Sequence, residues 1–244
     1  MIAKEQARKL FAPTGVLRAS INTGNPVLAR RDSPTEGPYG VSIDIAKTFA
    51  ERLGVEIEFV VFDSANQSVD AVANGQADIG FFAVDPKRGE SIAFTEPYLL
   101  IEGFYLVPEA SPIQSNADVD QAGIRVAVGR GSAYDLFLSR ELKQAEIVRA
   151  PNPKAVFPMF QEHNLEVAAG VKQQLQADME IHGGYRLLPE RFMVIRQAMG
   201  LARNRGEDAH AYLSAFVEGF KVAGLVEKLL AQHGIQGATV APVV

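Results

Sequence analysis

Strand and helix signatures alternate along this chain, and the alternation runs twice; that rhythm constrains the fold more than any single motif does. "GVLRASIN" (15–22) reads as a strand, followed by a loop rich in Gly, Pro, Arg and Asp through Gly40. "IDIAKTFAERLG" then repeats apolar residues at Ile45, Ala46, Phe49, Ala50 and Leu53, the spacing of a helix with one buried face closed by Gly54. "VEIEFVVF" (55–62) is β-branched and alternating, which predicts a strand. A second helix from Asn66 to Asn74 stops at Gly75, and "ADIGFFAV" (77–84) is apolar throughout most of its length, as strands buried on both faces are. This β-α-β-α-β order predicts a parallel sheet flanked by helices.

A strand over 99–107 and the polar, Pro-containing connection "PEASPIQSNADVD" lead to Gly123, where the rhythm restarts. Strand "GIRVAV", loop "GRGS", helix "AYDLFLSREL", strand "AEIVRA", a helix over 153–163, strand "LEVAAG", a helix over 171–180 and strand "YRLL" follow in turn. Beyond "FMVIRQAMGLARN", Leu213, Phe216, Val217 and Phe220 form one apolar stripe, with Gly224 dividing two closing helices. The expectation is two α/β lobes, an architecture that hosts small ligands where strand ends and helix N-termini converge.

The 244 residues suffice for a substantial core in one domain or two joined lobes. A formal net charge of -5, with no basic run, argues against a general nucleic-acid binder. Cysteine is absent, so disulfides, thiolate nucleophiles and Cys-based zinc sites are excluded. The opening "MIAKEQARKLFAPTG" lacks an apolar stretch of about 7 to 15 residues, and no run of about 18 apolar residues occurs. The expected chain is soluble, either cytosolic or stripped of a leader.

His163, His182, His210 and His233 are scattered without a metal-binding spacing, so no metal and no cofactor is expected. "GRGSAY" meets neither a dinucleotide nor a P-loop fingerprint, and it is not a hydrolase elbow. It does place a flexible loop before a helix, where free N–H groups hold anions. Ser132 and Asp135 are also spaced as a capping box, so local sequence leaves anion contact and plain capping equally open. Arg130 tips the balance toward an anion. In "DPKRGESIAFTEPY" (85–98), Asp85 before Pro86 reads as the cap of a short turn through Gly89, and Arg88 by itself reads as a solvated surface arginine.

The order of these pieces carries more. "GPYGVSIDIAKTFAERLGVEIEFV", "VDAVANGQADIGFFAVDPKRGESIAFTEPYLL", "IRVAVGRGSAYDLFL" and "AYLSAFVEGFKVAGLVEKLL" resemble, in sequence and order, the family 3 extracellular solute-binding proteins, receptors for polar amino acids in bacterial ABC importers. The resemblance runs from Val16 to Gly234 and is most specific over 75–98. It implies an α/β, type II periplasmic-binding-protein fold of two lobes joined by two crossover strands, near 101–106 and 196–202, closing on a ligand like a hinged trap. Lobe 1 is expected to be discontinuous, 1–102 with 200–244, and lobe 2 to be 103–199. The resemblance further implies a non-enzymatic monomer in the periplasm with its signal peptide removed. Its expected partners are a small carboxylate-bearing solute, an amino acid or related organic anion held in the interlobe cleft, and an ABC permease in the membrane.

In this family an arginine matching Arg88 grips the ligand's α-carboxylate, a task that suits a planar guanidinium. A hydroxyl matching Ser132 holds the same carboxylate from the other lobe. Three departures stand out. Asp85 replaces the family's turn threonine, and the segment before Arg88 is short, so Phe81 or Phe82 is expected to rebuild the pocket wall. Val171, with Lys172 beside it, stands where an aspartate normally binds the ligand's ammonium; Asp85 then has to supply that charge, or the ligand is no α-amino acid. The stacking aromatic of the first loop is missing from "NTGNPVLARR", where Asn22 and Asn25 are either hydrogen-bonding groups or turn residues. Two rival readings remain: a dehydratase-like enzyme on the same fold, for which Glu166 is the sole second-lobe candidate for a general acid or base in the cleft, and the ligand-sensing domain of a membrane receptor.

Overall fold

The computed structural model, which describes residues 2–244, begins with a helix that the sequence pattern did not announce, α1 (Lys4–Phe11). Ala7 and Phe11, one turn apart, are its buried residues, and the Phe11 ring meets Phe49 edge-on at 5.0 Å. Strand β1 (Val16–Asn22) is followed by α2 (Val41–Leu53), β2 (Glu56–Phe62), α3 (Ala65–Ala73) and β3 (Ile79–Ala83). Helix α2 ends as its sequence predicts: Gly54 takes a left-handed φ of 70° and returns its N–H to Ala50.

Strand β4 (Ile92–Pro108) is far longer than the predicted 99–107, because the segment "IAFTEPY" is already extended. Then come β5 (Arg125–Gly129), α4 (Ala133–Glu141), β6 (Glu146–Ala150), α5 (Val156–Glu162), β7 (Val167–Val171), α6 (Lys172–His182) and β8 (Tyr185–Leu187). The chain closes with β9 (Met193–Ala202), α7 (Glu207–Val222), α8 (Leu225–Gln232) and the short β10 (Thr239–Val240).

Two compact units result. Unit 1 takes the described residues up to Leu100 together with Arg196–Val244, and unit 2 takes Ile101–Ile195. The chain leaves unit 1 along β4 and returns to it along β9. In unit 1 the strand order is β2-β1-β3-β9, with β1 parallel to both β2 and β3 and β9 antiparallel to β3. In unit 2 the order is β6-β5-β7-β4, again parallel across β6, β5 and β7, with β4 antiparallel to β7. Each sheet therefore adds its second strand on one side of the first and its third on the other. Such a reversal leaves a crevice at the carboxyl ends of the two strands flanking it, here β1 with β3 and β5 with β7.

The core of unit 1 explains one local pattern. Gly80 and Gly200 face each other across β3 and β9, and the Phe82 ring lies against both. A Cβ on Gly80 would sit 2.2 Å from Phe82 Cζ, and one on Gly200 would sit 2.6 Å from Ile92 Cγ2 and 3.0 Å from Phe82. Phe82 thus packs with Val69, Val72, Ala77 and Ile92. At the opposite end of β3, Asp78 ties three segments together. It accepts from the Arg18 backbone N–H at 2.9 Å and from Arg18 Nη2 at 2.9 Å, and Arg205 bonds the same carboxylate while donating to Leu10 O at 2.6 Å. Burial pushes the Asp78 carboxyl up, but the two guanidiniums outweigh it and hold the group below its ordinary value. In unit 2, Phe104, Leu106, Phe157, Phe160 and Leu175 centre the core.

Candidate functional site

Unit 1 brings its candidate residues to the carboxyl end of β3. After Ala83 the chain turns through Asp85 and Pro86 into a single 3-10 turn, Arg88–Glu90. Asp85 closes the turn as its sequence suggests: Oδ1 accepts the Lys87 N–H at 2.9 Å, and its carbonyl accepts the Gly89 N–H at 2.9 Å. Arg88 departs from the local reading of a solvated arginine. It is 5% exposed, because its side chain folds back under the turn, where Nη1 donates to Ala83 O at 3.2 Å. Burial pulls its pKa well below the ordinary guanidinium value, down to about 10, against the supporting charge of Asp85, which is itself 5% exposed.

The phenylalanines part company. Strand alternation sends Phe82 into the core cluster described above, so of the two expected wall residues it is corrected to a packing residue. Phe81 points to the other face and meets Tyr98 edge-on at 6.2 Å. Beyond β1, Asn22 Oδ1 accepts from Gly24 N at 2.9 Å and Asn25 Oδ1 from Val27 N at 3.2 Å, so both side-chain carbonyls serve turns. The neighbouring Thr23 hydroxyl donates to Phe62 O and Asp63.

Unit 2 places its candidates at the carboxyl ends of β5 and β7, which the parallel register brings level. Ser132 caps α4: its Oγ accepts the Asp135 N–H at 3.0 Å, while Asp135 Oδ2 accepts from Gly131 N at 2.7 Å. The capping partner is thus the residue before the cap, a variant of the expected box. Asp135 is also bonded by Arg149 Nε at 2.9 Å and by the Ser139 hydroxyl at 3.2 Å. Arg130 is exposed, its N–H bound to Ala150 O.

Val171 ends β7 opposite Gly103 and is 8% exposed. Lys172, the first residue of α6, holds its Nζ 4.7 Å above the Phe104 ring and 3.5 Å from Glu102 Oε2. Glu102 has a nearer partner in Arg191, whose Nη1 stands 2.7 Å from Oε1. The Arg191 bond, aided by Lys172, keeps the Glu102 carboxyl below its ordinary value despite partial burial. Glu102 and Arg191 escaped the sequence reading. A lone carboxylate inside the apolar run "LLIEGFYLV" was the available signal, since a charge there needs a partner.

Glu166 stands at the opposite end of β7. Arg125 grips it at 2.8 and 2.9 Å and adds its backbone N–H at 2.8 Å, and these bonds hold the carboxyl low. A carboxylate so fixed is a poor proton donor. The histidines are also placed structurally: His210 bonds Phe94 O, His233 bonds Asp44, and His182 stacks on Phe157.

Comparison with known proteins gives these positions a context. Residues 17–234 match the bacterial extracellular solute-binding proteins, family 3. The chain is 26% identical over 183 residues to the virulence sensor protein BvgS of Bordetella pertussis, a stretch that is 74% of this chain and 13% of BvgS. It is 27% identical over 161 residues to the cyclohexadienyl dehydratase of Pseudomonas aeruginosa, covering 64% of this chain and 59% of that enzyme. The matches therefore span less than two thirds of either relative. Among solved structures, the solute receptor for L-cysteine of Neisseria gonorrhoeae superposes with a TM-score of 0.80 at 20% identity, covering 96% of this chain and 95% of that one. The fold is that of the type II periplasmic binding proteins.

Proposed function

Because this chain belongs to family 3 of the bacterial extracellular solute-binding proteins, we propose that it is the extracytoplasmic receptor of an ABC importer, binding a small carboxylate-bearing solute and delivering it to a membrane permease. Arg88 is the carboxylate grip. The observation that carries this reading is a guanidinium buried at the carboxyl end of β3, on the turn where the sheet order reverses, with its pKa drawn down to about 10. A carboxylate delivered to that position offsets the desolvation that the ligand-free protein sustains, and a bidentate pairing does so with directional bonds. Ser132 and the N–H groups of its loop are the corresponding groups of unit 2, and Val171 supplies apolar surface beside them.

The test has two stages. Native mass spectrometry of the protein as purified identifies a retained solute, and calorimetry then measures its affinity for the wild type and for Arg88→Met. Loss of one partner of a buried charge pair costs about 2–5 kcal/mol, so the variant should bind at least tenfold more weakly; equal affinities refute the role.

A second reading, the ligand-sensing part of a longer membrane receptor, is favoured by the similarity to BvgS. It predicts the same solute binding without a permease partner, which capture of an ABC permease from solubilised membranes by the tagged protein discriminates. The similarity to cyclohexadienyl dehydratase raises an enzymatic role, but Glu166, the carboxylate that role would call upon, is locked to Arg125.

A further inference from the structure

Lys221, in the last turn of α7, has a side chain with no solvent exposure. Its Nζ donates to Pro97 O at 3.1 Å and to Pro242 O at 2.7 Å, and it stands 2.7 Å from Glu218 Oε1. One ammonium thus joins α7 to β4, just before the chain leaves unit 1 after Leu100, and to the segment that follows β10. Both carbonyls belong to prolines, which have no N–H with which to close a ladder rung, and the lysine supplies the link that backbone pairing lacks there. Glu218 holds the same segment a second time by accepting the Val244 N–H at 3.1 Å.

The two strands also pair. β10 runs antiparallel to β4, with Thr239 opposite Leu100 and Val240 opposite Leu99, and the Ala241 N–H is bonded to Tyr98 O at 3.1 Å. Hydrogen-bonded rungs alternate along such a ladder, so the rung at Tyr98 makes Leu100 with Thr239 the next one. Over Tyr98–Leu100 the edge of β4 is closed by residues 239–241, where it would otherwise be open to another strand. A ladder of two residues holds little by itself, whereas hydrogen bonds from a charged group are about twice as strong as neutral ones.

We propose that residues 239–242 are a strap over the crossover strand β4 and that the Lys221 ammonium is its rivet. The device decides how firmly the chain is held where it leaves unit 1, and it does not depend on the identity of a solute. Without the rivet the strap lifts while the rest of unit 1 stays folded. Withdrawal of Pro242 O leaves a buried ammonium one partner short, which is costly, so strap and rivet release together. The opening is local because the strap covers backbone edge rather than core: Thr239 and Pro242 are exposed, Val240 is half-buried, and Ala241 alone of the four is buried.

Hydrogen exchange of the full chain, read by NMR at single amides, is the test. In Lys221→Met the Tyr98 and Leu100 amides should exchange at least about tenfold faster than in the wild type, an opening easier by about 1.4 kcal/mol. The amides of Ala19 and Phe82, inside the unit 1 sheet, should keep their rates. A second variant locks the strap. The chain has no cysteine, so Leu100→Cys/Thr239→Cys creates one pair, across a rung whose Cα separation of about 5.5 Å suits a disulfide. Added to Lys221→Met, the oxidised pair should return the Tyr98 amide to its wild-type rate, and reduction should release it again. Protection gained on oxidation cannot come from a damaged fold.

If Lys221→Met speeds Ala19 and Phe82 as much as Tyr98 and Leu100, the lysine serves the stability of the whole unit and the strap is overturned. Unchanged exchange at Tyr98 and Leu100 overturns the rivet. Should Lys221→Met fail to fold, the cysteine pair with Lys221 in place carries the test. Oxidation then has to slow the Tyr98 amide and leave Ala19 and Phe82 unmoved, and equal rates in both redox states overturn the strap.

Discussion

Replacing Arg88 by methionine should make the ligand-free protein more stable while destroying its response to ligand. The side chain is 5% exposed, and the fall of its pKa from the ordinary guanidinium value to about 10 corresponds to about 3 kcal/mol against the charged form in the folded state. That penalty applies at every pH below about 10, because the group is charged in the unfolded chain throughout that range. Methionine fills similar space without a charge, but it forgoes the bond to Ala83 O, a loss of about 1–2 kcal/mol. The balance is a gain of about 1–2 kcal/mol, and for a chain of this size each kcal/mol moves the melting temperature by about 2–4 °C. The wild type should recover the difference when solute is added, since a hundredfold excess over Kd contributes about 2.7 kcal/mol. Thermal unfolding of both proteins, with and without the retained solute, reads all four numbers. A variant that melts well below the wild type without ligand, or that keeps a full ligand-induced rise, refutes the argument: the first would make Arg88 a structural counter-ion, the second an idle one.

Other consequences follow from the packing and the fixed carboxylates. Gly200→Ala pushes a methyl to within 2.6 Å of Ile92 and 3.0 Å of Phe82, and overpacking of this kind should cost about 1–3 kcal/mol in urea unfolding with solute affinity nearly unchanged. Asp78→Asn removes the charge that two arginines share and should destabilise by about 3–5 kcal/mol. Because the Asp78 carboxyl is held below its ordinary value, its contribution is present above about pH 4 and disappears as the pH falls further; the acid limb of the stability profile should therefore be flatter in the variant. Glu166→Gln should lower stability slightly and leave solute affinity intact, and NMR of the wild type with the solute retained on purification should detect no turnover.

Much of this architecture was legible because strand and helix periods repeat cleanly. The run 41–54 has one apolar stripe and a glycine that only a left-handed cap explains, and it became α2. Phe81 and Phe82 were not separable by composition, since a strand buried on both faces gives no polar partner from which to read its phase. The pair of glycines facing Phe82 holds that information, but it depends on β3 meeting β9, residues distant in the chain. Helix α1 was overlooked for a similar reason. Its few apolar residues mean little until Phe49 and Tyr212 are there to meet Phe11.

The candidate site was harder to read than the fold because its polar groups change role with their neighbours. Ser132 and Asp85 look alike in sequence, each a polar residue opening a turn, and the structure uses Ser132 to cap α4 and Asp85 to close a turn onto Lys87. Capping and ligand binding are not exclusive at a helix start such as Ser132: a cap orients the loop so that other N–H groups stay directed outward. Arg88 shows the reverse case. Local sequence reads it as a solvated arginine, and only the fold-back of its side chain toward Ala83 exposes the desolvation on which the proposed carboxylate grip rests. The two units share one strand order and place their candidates at the same topological position, yet unit 1 buries one cation beside Asp85 while unit 2 sets two cations on Glu102.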